Sequence, residues 1–355
     1  MSRVTESLRA ARCVLAAAAC AAAAGCVFIP PEPPLEPDAA RVEVAPPPAP
    51  VPAAPAPVAT PPAAPTRPAP PPVVEPPDRP LAVLHDGASA EHAAVAAEVA
   101  ALLAADGHRV SSVNVRSADA LSVLASQADL VGVAVAVGLE AATAARRTLA
   151  APLVFCQVFN HEQLLHEGPP AWGVAAVPPI GLQLRAWKAL DPSLERVALI
   201  VGASHAALAE EASAVGRELG IAVSYEIAAS DLETSYLFRR AAPQVDGVWL
   251  PPDGRILSPG VLRELLDYAL GHGVGVAVAS DGLLEWGALF SATATTTNVA
   301  QTVREVVARV TKGRAADVPP LTPLSEVELE LNPSVAAALG LNVPIESPWV
   351  LREPD

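Results

Sequence analysis

Residues 81–115 read LAVLHDGASAEHAAVAAEVAALLAADGHRVSSVNV, and this stretch decides the fold class of the chain. The short apolar run Leu81–Leu84 is typical of a buried strand, and the alanine-rich run 90–105 before Gly107 predicts a helix. A second apolar run at 110–115 completes a strand, helix, strand unit. Repeated units of this kind build parallel sheets that are covered by helices.

The same alternation continues along the chain and predicts two lobes. In the first lobe we expect helices at 118–126 and 138–149 and strands at 130–135 and 153–158. The cycle restarts with strands at 197–201, 221–227, 247–250 and 274–279 and helices at 206–219, 232–241 and 259–270. A helix at 298–312 and a half-buried strand at 327–331 follow.

The sequence therefore predicts an α/β protein with two doubly wound, Rossmann-like lobes. Residues 80–177 would form the first lobe, and residues 178–355 the second, with crossover segments that return to the first. Open α/β sheets bind ligands beyond the carboxyl ends of their strands, so we expect a ligand cleft between the lobes.

The first residues of the chain have the pattern of an export signal. An apolar, alanine-rich run at 13–24 follows several arginines and is too short for an ordinary membrane span. The run ends in Ala23-Ala24-Gly25-Cys26, which resembles a bacterial lipobox. That resemblance implies removal of residues 1–25 and acylation of Cys26 as a membrane anchor. An ordinary cleavable signal, in which Cys26 has no such role, is the alternative.

A segment rich in proline, alanine and valine separates this signal from the lobes. It has too little apolar bulk for a core, and each proline removes a backbone donor. We expect residues 26–79 to be a disordered, semi-extended tether.

Composition and motifs exclude several classes of function. The formal net charge of −15 leaves no continuous cationic surface for nucleic acid. The chain has no GxSxG, HExxH or Walker motif and no GxGxxG after the first strand. His161 and His166 lie near each other beside Glu162, either as a metal site or, without a firm third ligand, as a solvated loop. We expect no catalytic residue, no bound metal and no cofactor.

Polar residues and a glycine at predicted strand ends are the candidate ligand-binding residues. They are His85, Asp86, Gly138 and Asn160 in the first lobe and Ser204, Asp253 and Asp281 in the second. Such groups can face the cleft, and a helix N-terminus such as that after Gly138 favours an anion. Each has a structural alternative, which is helix capping for most of them and turn stabilisation for Asp253.

Several motifs in the second lobe together carry a resemblance to a known family. They are Asp246-Gly247-Val248-Trp249-Leu250-Pro251-Pro252-Asp253, Val276-Ala277-Val278-Ala279-Ser280-Asp281, Gly287-Ala288-Leu289, Thr311-Lys312-Gly313, Asp317-Val318-Pro319, Asn332-Pro333 and the run 338–344. These motifs resemble ABC transporter substrate-binding proteins related to tryptophan and tyrosine binders. The resemblance implies a type I periplasmic-binding-protein fold, capture of a small solute by lobe closure and delivery to a membrane permease. It also implies that Asp253 lies at the cleft edge and contacts the solute.

The first lobe departs from the family pattern. It has Val137-Gly138-Leu139 where the family commonly has serine or threonine, and Asn160-His161 where an aspartate-proline pair is common. Two functions therefore remain open. One is a lipid-anchored solute-binding protein of an ABC transporter, for a small solute such as an amino acid or a related compound, on the periplasmic face of the envelope. The other is an envelope lipoprotein that uses the same fold for sensing or protein contact.

Overall fold

The computed structural model describes residues 79–166, 168–343 and 349–352. The predicted signal peptide (residues 1–25), Cys26 and the tether as far as residue 78 lie outside the described residues, so these assignments stay predictions.

Strands and helices alternate along the described residues. In chain order they are β1 (Leu81–His85), α1 (Ala90–Ala105), β2 (Val110–Asn114), α2 (Ala118–Ser126), β3 (Val133–Val137), α3 (Leu139–Thr148), β4 (Leu153–Cys156), α4 (Glu162–His166), β5 (Ala171–Val174), α5 (Ile180–Leu190), β6 (Arg196–Gly202), α6 (Ala206–Leu219), β7 (Ala222–Ala228), α7 (Asp231–Ala241), β8 (Gly247–Trp249), α8 (Pro259–Gly271), β9 (Gly275–Val278), β10 (Phe290–Thr293), α9 (Thr296–Thr311), β11 (Leu321–Thr322), β12 (Glu328–Leu331), α10 (Pro333–Ala338) and β13 (Trp349–Leu351).

The strands form two sheets, one in each lobe. The first sheet has the spatial order β11-β5-β4-β3-β1-β2, and its strand pairs are parallel. The second has the order β13-β12-β10-β9-β8-β6-β7, and β12 runs antiparallel to β10. Parallel strands require helical crossovers, and these cover both faces of each sheet.

Apolar residues on both sides of each sheet make four core clusters. In the first lobe, α1 and α9 pack on one face, and α2 and α3 pack on the other. In the second lobe, α5, α6 and α10 cover one face, and α7 and α8 cover the other. Each lobe is therefore a three-layer sandwich, and the predicted fold class is confirmed.

The chain passes between the lobes at three places in the described residues. It leaves the first lobe between β5 and α5 and returns between β10 and α9. It crosses again between β11, which belongs to the first sheet, and β12, which belongs to the second. Residues 296–322 thus complete the first lobe although they follow most of the second in sequence.

Local sequence signals account for many of the element ends. The Ser89 hydroxyl caps α1 by accepting a hydrogen bond from the His92 backbone N–H. Helix α6 ends at Gly220, whose φ of 71° is in the left-handed region. The predicted bounds of α1, α2 and α6 are confirmed.

Other predictions were shifted or incomplete. The strand expected at 130–135 lies at 133–137, because residues 128–130 form a 3-10 turn that leaves Leu130 exposed. Elements α4, α5, β5, β10, β11 and β13 were not predicted. Within the described residues, no helix combines the length and the apolar character needed to cross a membrane.

Candidate ligand site between the lobes

Loops at the carboxyl ends of β4, β6 and β8 meet where the two lobes face each other. The loop after β4 contributes Phe159 and Asn160, and the turn after β6 contributes Ser204 and His205. The loop after β8 contributes Asp253. These are the strand ends at which open α/β folds bind ligands.

Asp253 is the most deeply buried charged residue of this region, with 1% of its surface exposed. Its Oδ1 accepts hydrogen bonds from the backbone N–H of Arg255 at 3.0 Å and from Arg255 Nε at 2.9 Å. Its Oδ2 accepts a bond from Arg255 Nη2 at 2.9 Å. A Cβ at Gly202 would lie 2.8 Å from Oδ2, so a glycine is needed at this strand end for the carboxylate to fit.

Side chains from both lobes join this ion pair in a network that we call the cleft cluster. Its members are Asn160, Glu162, Ser204, His205, Asp253 and Arg255. Asn160 Nδ2 donates to Asp253 Oδ1 at 3.0 Å, and Arg255 Nη2 donates to Ser204 Oγ at 2.9 Å. Arg255 Nη1 lies 3.8 Å from Glu162 Oε2. The cleft cluster therefore links the first lobe to the second directly.

His205 makes a second contact between the lobes. Its Nε2 lies 3.2 Å from the carbonyl oxygen of Phe159 and donates to it in the neutral tautomer that carries the proton there. The imidazole ring of His205 also stacks on the phenyl ring of Phe159, with the ring centroids 4.0 Å apart. Backbone geometry and ring packing thus hold the loop after β4 against the turn after β6.

The charges of the cleft cluster are set by burial and by its hydrogen bonds. Burial alone would raise the pKa of the Asp253 carboxyl, but hydrogen bonds from Arg255 and Asn160 hold that pKa below its ordinary value. Burial likewise opposes ionisation of Glu162, yet Ser204, His205 and Arg255 lower its pKa. Burial also lowers the pKa of His205, against the hydrogen bond to Phe159 and the nearby carboxylates. At neutral pH the cluster holds two carboxylates, one guanidinium and a neutral imidazole.

A cavity of about 340 Å³ adjoins the cleft cluster through Ser204 and His205, which are among the residues that line it. Its walls come from the loop after β4, the β5–α5 crossover, the start of α6 and the crossover after β11. Most of these walls are aliphatic, aromatic or proline side chains, and none of the residues lining it is lysine or arginine. Its volume lies in the range of small-molecule sites.

The structure brings three of the seven predicted ligand-binding residues together. Asn160, Ser204 and Asp253 all belong to the cleft cluster, and Ser204 also lines the cavity. In each of the three, at least one polar atom is bound by another side chain of the protein.

The other predicted residues lie in separate groups. Asp86 accepts a hydrogen bond from the Ser89 backbone N–H, and its Oδ2 lies 3.2 Å from His92 Nδ1. A Cβ at Gly138 would lie 2.7 Å from the same His92 ring, so these residues form one group in the first lobe. His85 Nδ1 is buried and has no hydrogen-bond partner among the described residues.

Asp281 lies in the second lobe, and its Oδ1 accepts a hydrogen bond from Ser291 Oγ. Of the residues in these separate groups, none lines the 340 Å³ cavity.

His161 Nδ1 lies 2.8 Å from the Phe159 carbonyl oxygen. In the described part of the chain, no group of three or more His, Cys, Asp or Glu residues is arranged to hold a metal ion.

The sequence analysis did not include Arg255, Glu162, His205 or Phe159 among the candidate solute-binding residues. Arg255 follows Gly254 in an apparent surface turn, and no periodicity marks its contact with Asp253. His205 directly follows Ser204 at a strand end, so the same positional rule could have included it.

Sequence comparisons add no family to this description, since no protein-family model and no curated protein matches the chain. Solved structures do match its fold. The ligand-free, open structure of a substrate-binding protein with adhesive properties from Clostridium difficile has 14% sequence identity and a TM-score of 0.58. The match covers 78% of this chain and 100% of that one.

Two further structures match over similar lengths. An ABC domain in complex with L-Trp from Streptococcus pneumoniae has 17% identity and a TM-score of 0.55, over 78% of this chain and 100% of that one. A conserved domain protein from Vibrio cholerae has 16% identity and a TM-score of 0.52, over 75% of this chain and 95% of that one. The likeness shows a two-lobed fold like that of type I periplasmic binding proteins.

Proposed function

We propose that this chain is a solute-binding protein of an ABC transporter that captures a small solute between its lobes and does not convert it chemically. The cavity of about 340 Å³ carries this proposal, because it lies between the lobes at the carboxyl ends of β4 and β6. The matching substrate-binding protein and the matching L-Trp complex support a binding role.

The location follows from the same proposal. The signal-like residues 1–25 and the lipobox-like Cys26 favour export and a lipid anchor on the periplasmic face of the envelope. The proline-rich segment would then act as a spacer between that anchor and the lobes. A permease in the membrane would be the partner that receives the solute.

Native mass spectrometry of the purified chain tests the binding role. We expect a co-purified small molecule that is lost when Ala207→Trp fills the cavity, since Ala207 is an exposed residue of its wall. Ala214→Trp is the matched control, because Ala214 is exposed on the same helix and does not line the cavity. Equal retention of the molecule by both variants would place the ligand elsewhere.

One observation favours the second candidate, an envelope lipoprotein for sensing or protein contact. The cleft cluster joins the lobes through the protein's own side chains, so closure does not depend on a solute alone. This candidate predicts an empty cavity in native mass spectrometry and no thermal stabilisation by any small molecule in a solute screen.

A further inference from the structure

The guanidinium of Arg255 lies at the centre of the charged groups in the cleft. Asp253 accepts hydrogen bonds from its Nε and Nη2, both at 2.9 Å, and Ser204 accepts another from Nη2. Glu162 faces Nη1. Two groups with the chemistry to bind a solute cation, Asp253 and Ser204, are thus bound to an arginine of the same chain.

The pairing of Arg255 with Asp253 also connects the lobes. Asp253 belongs to the second lobe, and its Oδ1 accepts a bond from Asn160 of the first lobe. Arg255 approaches Glu162, which also belongs to the first lobe. An ion pair that only stabilised its own turn would need neither contact.

We propose that Arg255 determines the specificity of the cleft, because its guanidinium occupies, as a built-in cation, the position that a cationic solute would take at Asp253. The inference deepens the proposed function and rests on it. Asp253 does not line the adjoining cavity and is already neutralised by Arg255, so an ammonium or guanidinium group of a solute gains nothing there.

The residues that line the cavity further restrict the class of solute that can bind. An anionic solute finds no lysine or arginine among the residues that line the cavity. Glu211 is the carboxylate among them, and it is exposed, so water screens its attraction for a cation. The site therefore selects an uncharged, mainly apolar solute that places a hydrogen-bonding group near Ser204.

Removal of the arginine side chain tests this role. Arg255→Ala leaves a space that ethylguanidinium matches, since this cation has the atoms of the arginine side chain beyond Cβ. In calorimetry on the full chain, we expect ethylguanidinium to bind Arg255→Ala about tenfold or more tightly than it binds the parent. The uncharged analogue N-ethylurea should not bind.

Arg304→Ala is the matched control. Arg304 also pairs with an aspartate, Asp106, and its side chain is 44% exposed, against 47% for Arg255. That pair lies outside the cleft, between α9 and the end of α1. Equal binding of ethylguanidinium to both variants would overturn the proposal.

The separation of the lobes distinguishes this role from simple stabilisation of a turn. Spin labels at Ala101 in α1 and Ala214 in α6, both exposed, report the distance by double electron-electron resonance. We expect a longer distance in Arg255→Ala that shortens when ethylguanidinium is added. A distance that is the same as in the parent, with or without the cation, would contradict the proposal.

Asn160→Ala keeps the proposal testable if Arg255→Ala does not fold. This variant removes the hydrogen bond from Asn160 of the first lobe to Asp253 of the second and leaves Arg255 on Asp253. We expect a longer distance between the labels and no binding of ethylguanidinium, whereas saturable binding would overturn the role of Arg255. These measurements need no natural solute, so their failure is distinct from failure of the Ala207→Trp experiment.

Discussion

Replacement of Asp253 by asparagine measures how much the cleft cluster contributes to the stability of the protein. The side chain is fully buried and accepts hydrogen bonds from Arg255 and Asn160. In Asp253→Asn, the new amide N–H₂ group faces a donor nitrogen of Arg255 in either orientation, and it also faces Asn160 Nδ2 if it takes the place of Oδ1. At least one hydrogen bond to a charged group is then lost.

The size of the effect follows from burial. A hydrogen bond to a charged group contributes about 1.5 to 3 kcal/mol, and breaking a buried ion pair costs about 3 to 5 kcal/mol. Arg255 is half exposed and can regain water, which reduces the cost. We expect Asp253→Asn to lower the free energy of unfolding by about 2 to 3 kcal/mol.

Asp246→Asn is the matched control. Asp246 also pairs with an arginine in the second lobe, but its side chain is 28% exposed. Its Oδ2 accepts from the backbone N–H groups of Glu195 and Arg196, and an asparagine oxygen can still accept both bonds. We expect Asp246→Asn to lower the free energy of unfolding by less than about 1 kcal/mol.

Urea unfolding at pH 7, monitored by tryptophan fluorescence, measures the free energy of unfolding of both variants. Because the folded-state pKa of Asp253 is lowered, the stability that it contributes is present above its ordinary value of 3.8. That contribution is lost as the pH falls through the folded-state pKa, so parent and Asp253→Asn should converge in acid. Equal losses for Asp253→Asn and Asp246→Asn at pH 7 would refute the reasoning.

Three further predictions concern other parts of the chain. Gly247→Ala should lower the free energy of unfolding by about 1 to 3 kcal/mol, because its Cβ would lie 2.2 Å from the Trp187 ring; Gly254→Ala, which meets nothing within 4 Å, should change it by less than about 0.5 kcal/mol in the same urea assay. His205 should titrate below 6.5 by NMR, because burial disfavours its charged form, and the folded state should lose stability as the pH falls below 6.5; a midpoint above 6.5 would contradict the buried environment. Cys26→Ser should move the chain from the detergent phase to the aqueous phase, and unchanged partitioning would exclude a lipid anchor at this cysteine.

The alternation of apolar runs and helical segments was enough to predict the fold class. It missed helix α5, in which one of the positions on the buried face is polar. Helix α5 carries Gln183, which is polar but buried, and its side chain accepts a hydrogen bond from Trp249 and donates one to the Pro178 carbonyl. Trp249 is distant from Gln183 in the sequence, so nothing in the segment around Gln183 signals that this polar side chain is buried.

The candidate site was predictable only in part, for a related reason. The rule that polar residues follow parallel strands brought Asn160, Ser204 and Asp253 together. It did not reveal that Arg255 binds the Asp253 carboxylate, because that contact depends on the shape of a turn and on the closeness of Gly202. Residues at strand ends can be predicted, whereas their partners depend on tertiary geometry.

The return of the chain to the first lobe has a consequence for biogenesis. Helix α9 supplies Val299, Val303 and Val307 to the core beneath α1, and β11 adds the edge strand beside β5. A nascent chain that ends before residue 296 therefore presents an uncovered apolar surface on its first lobe. Contacts of such long sequence separation slow folding and prolong the lifetime of aggregation-prone intermediates. The first lobe therefore cannot finish folding until residues 296–322 have been made, long after its first strand, and a chaperone that delays its collapse would improve the yield of native protein.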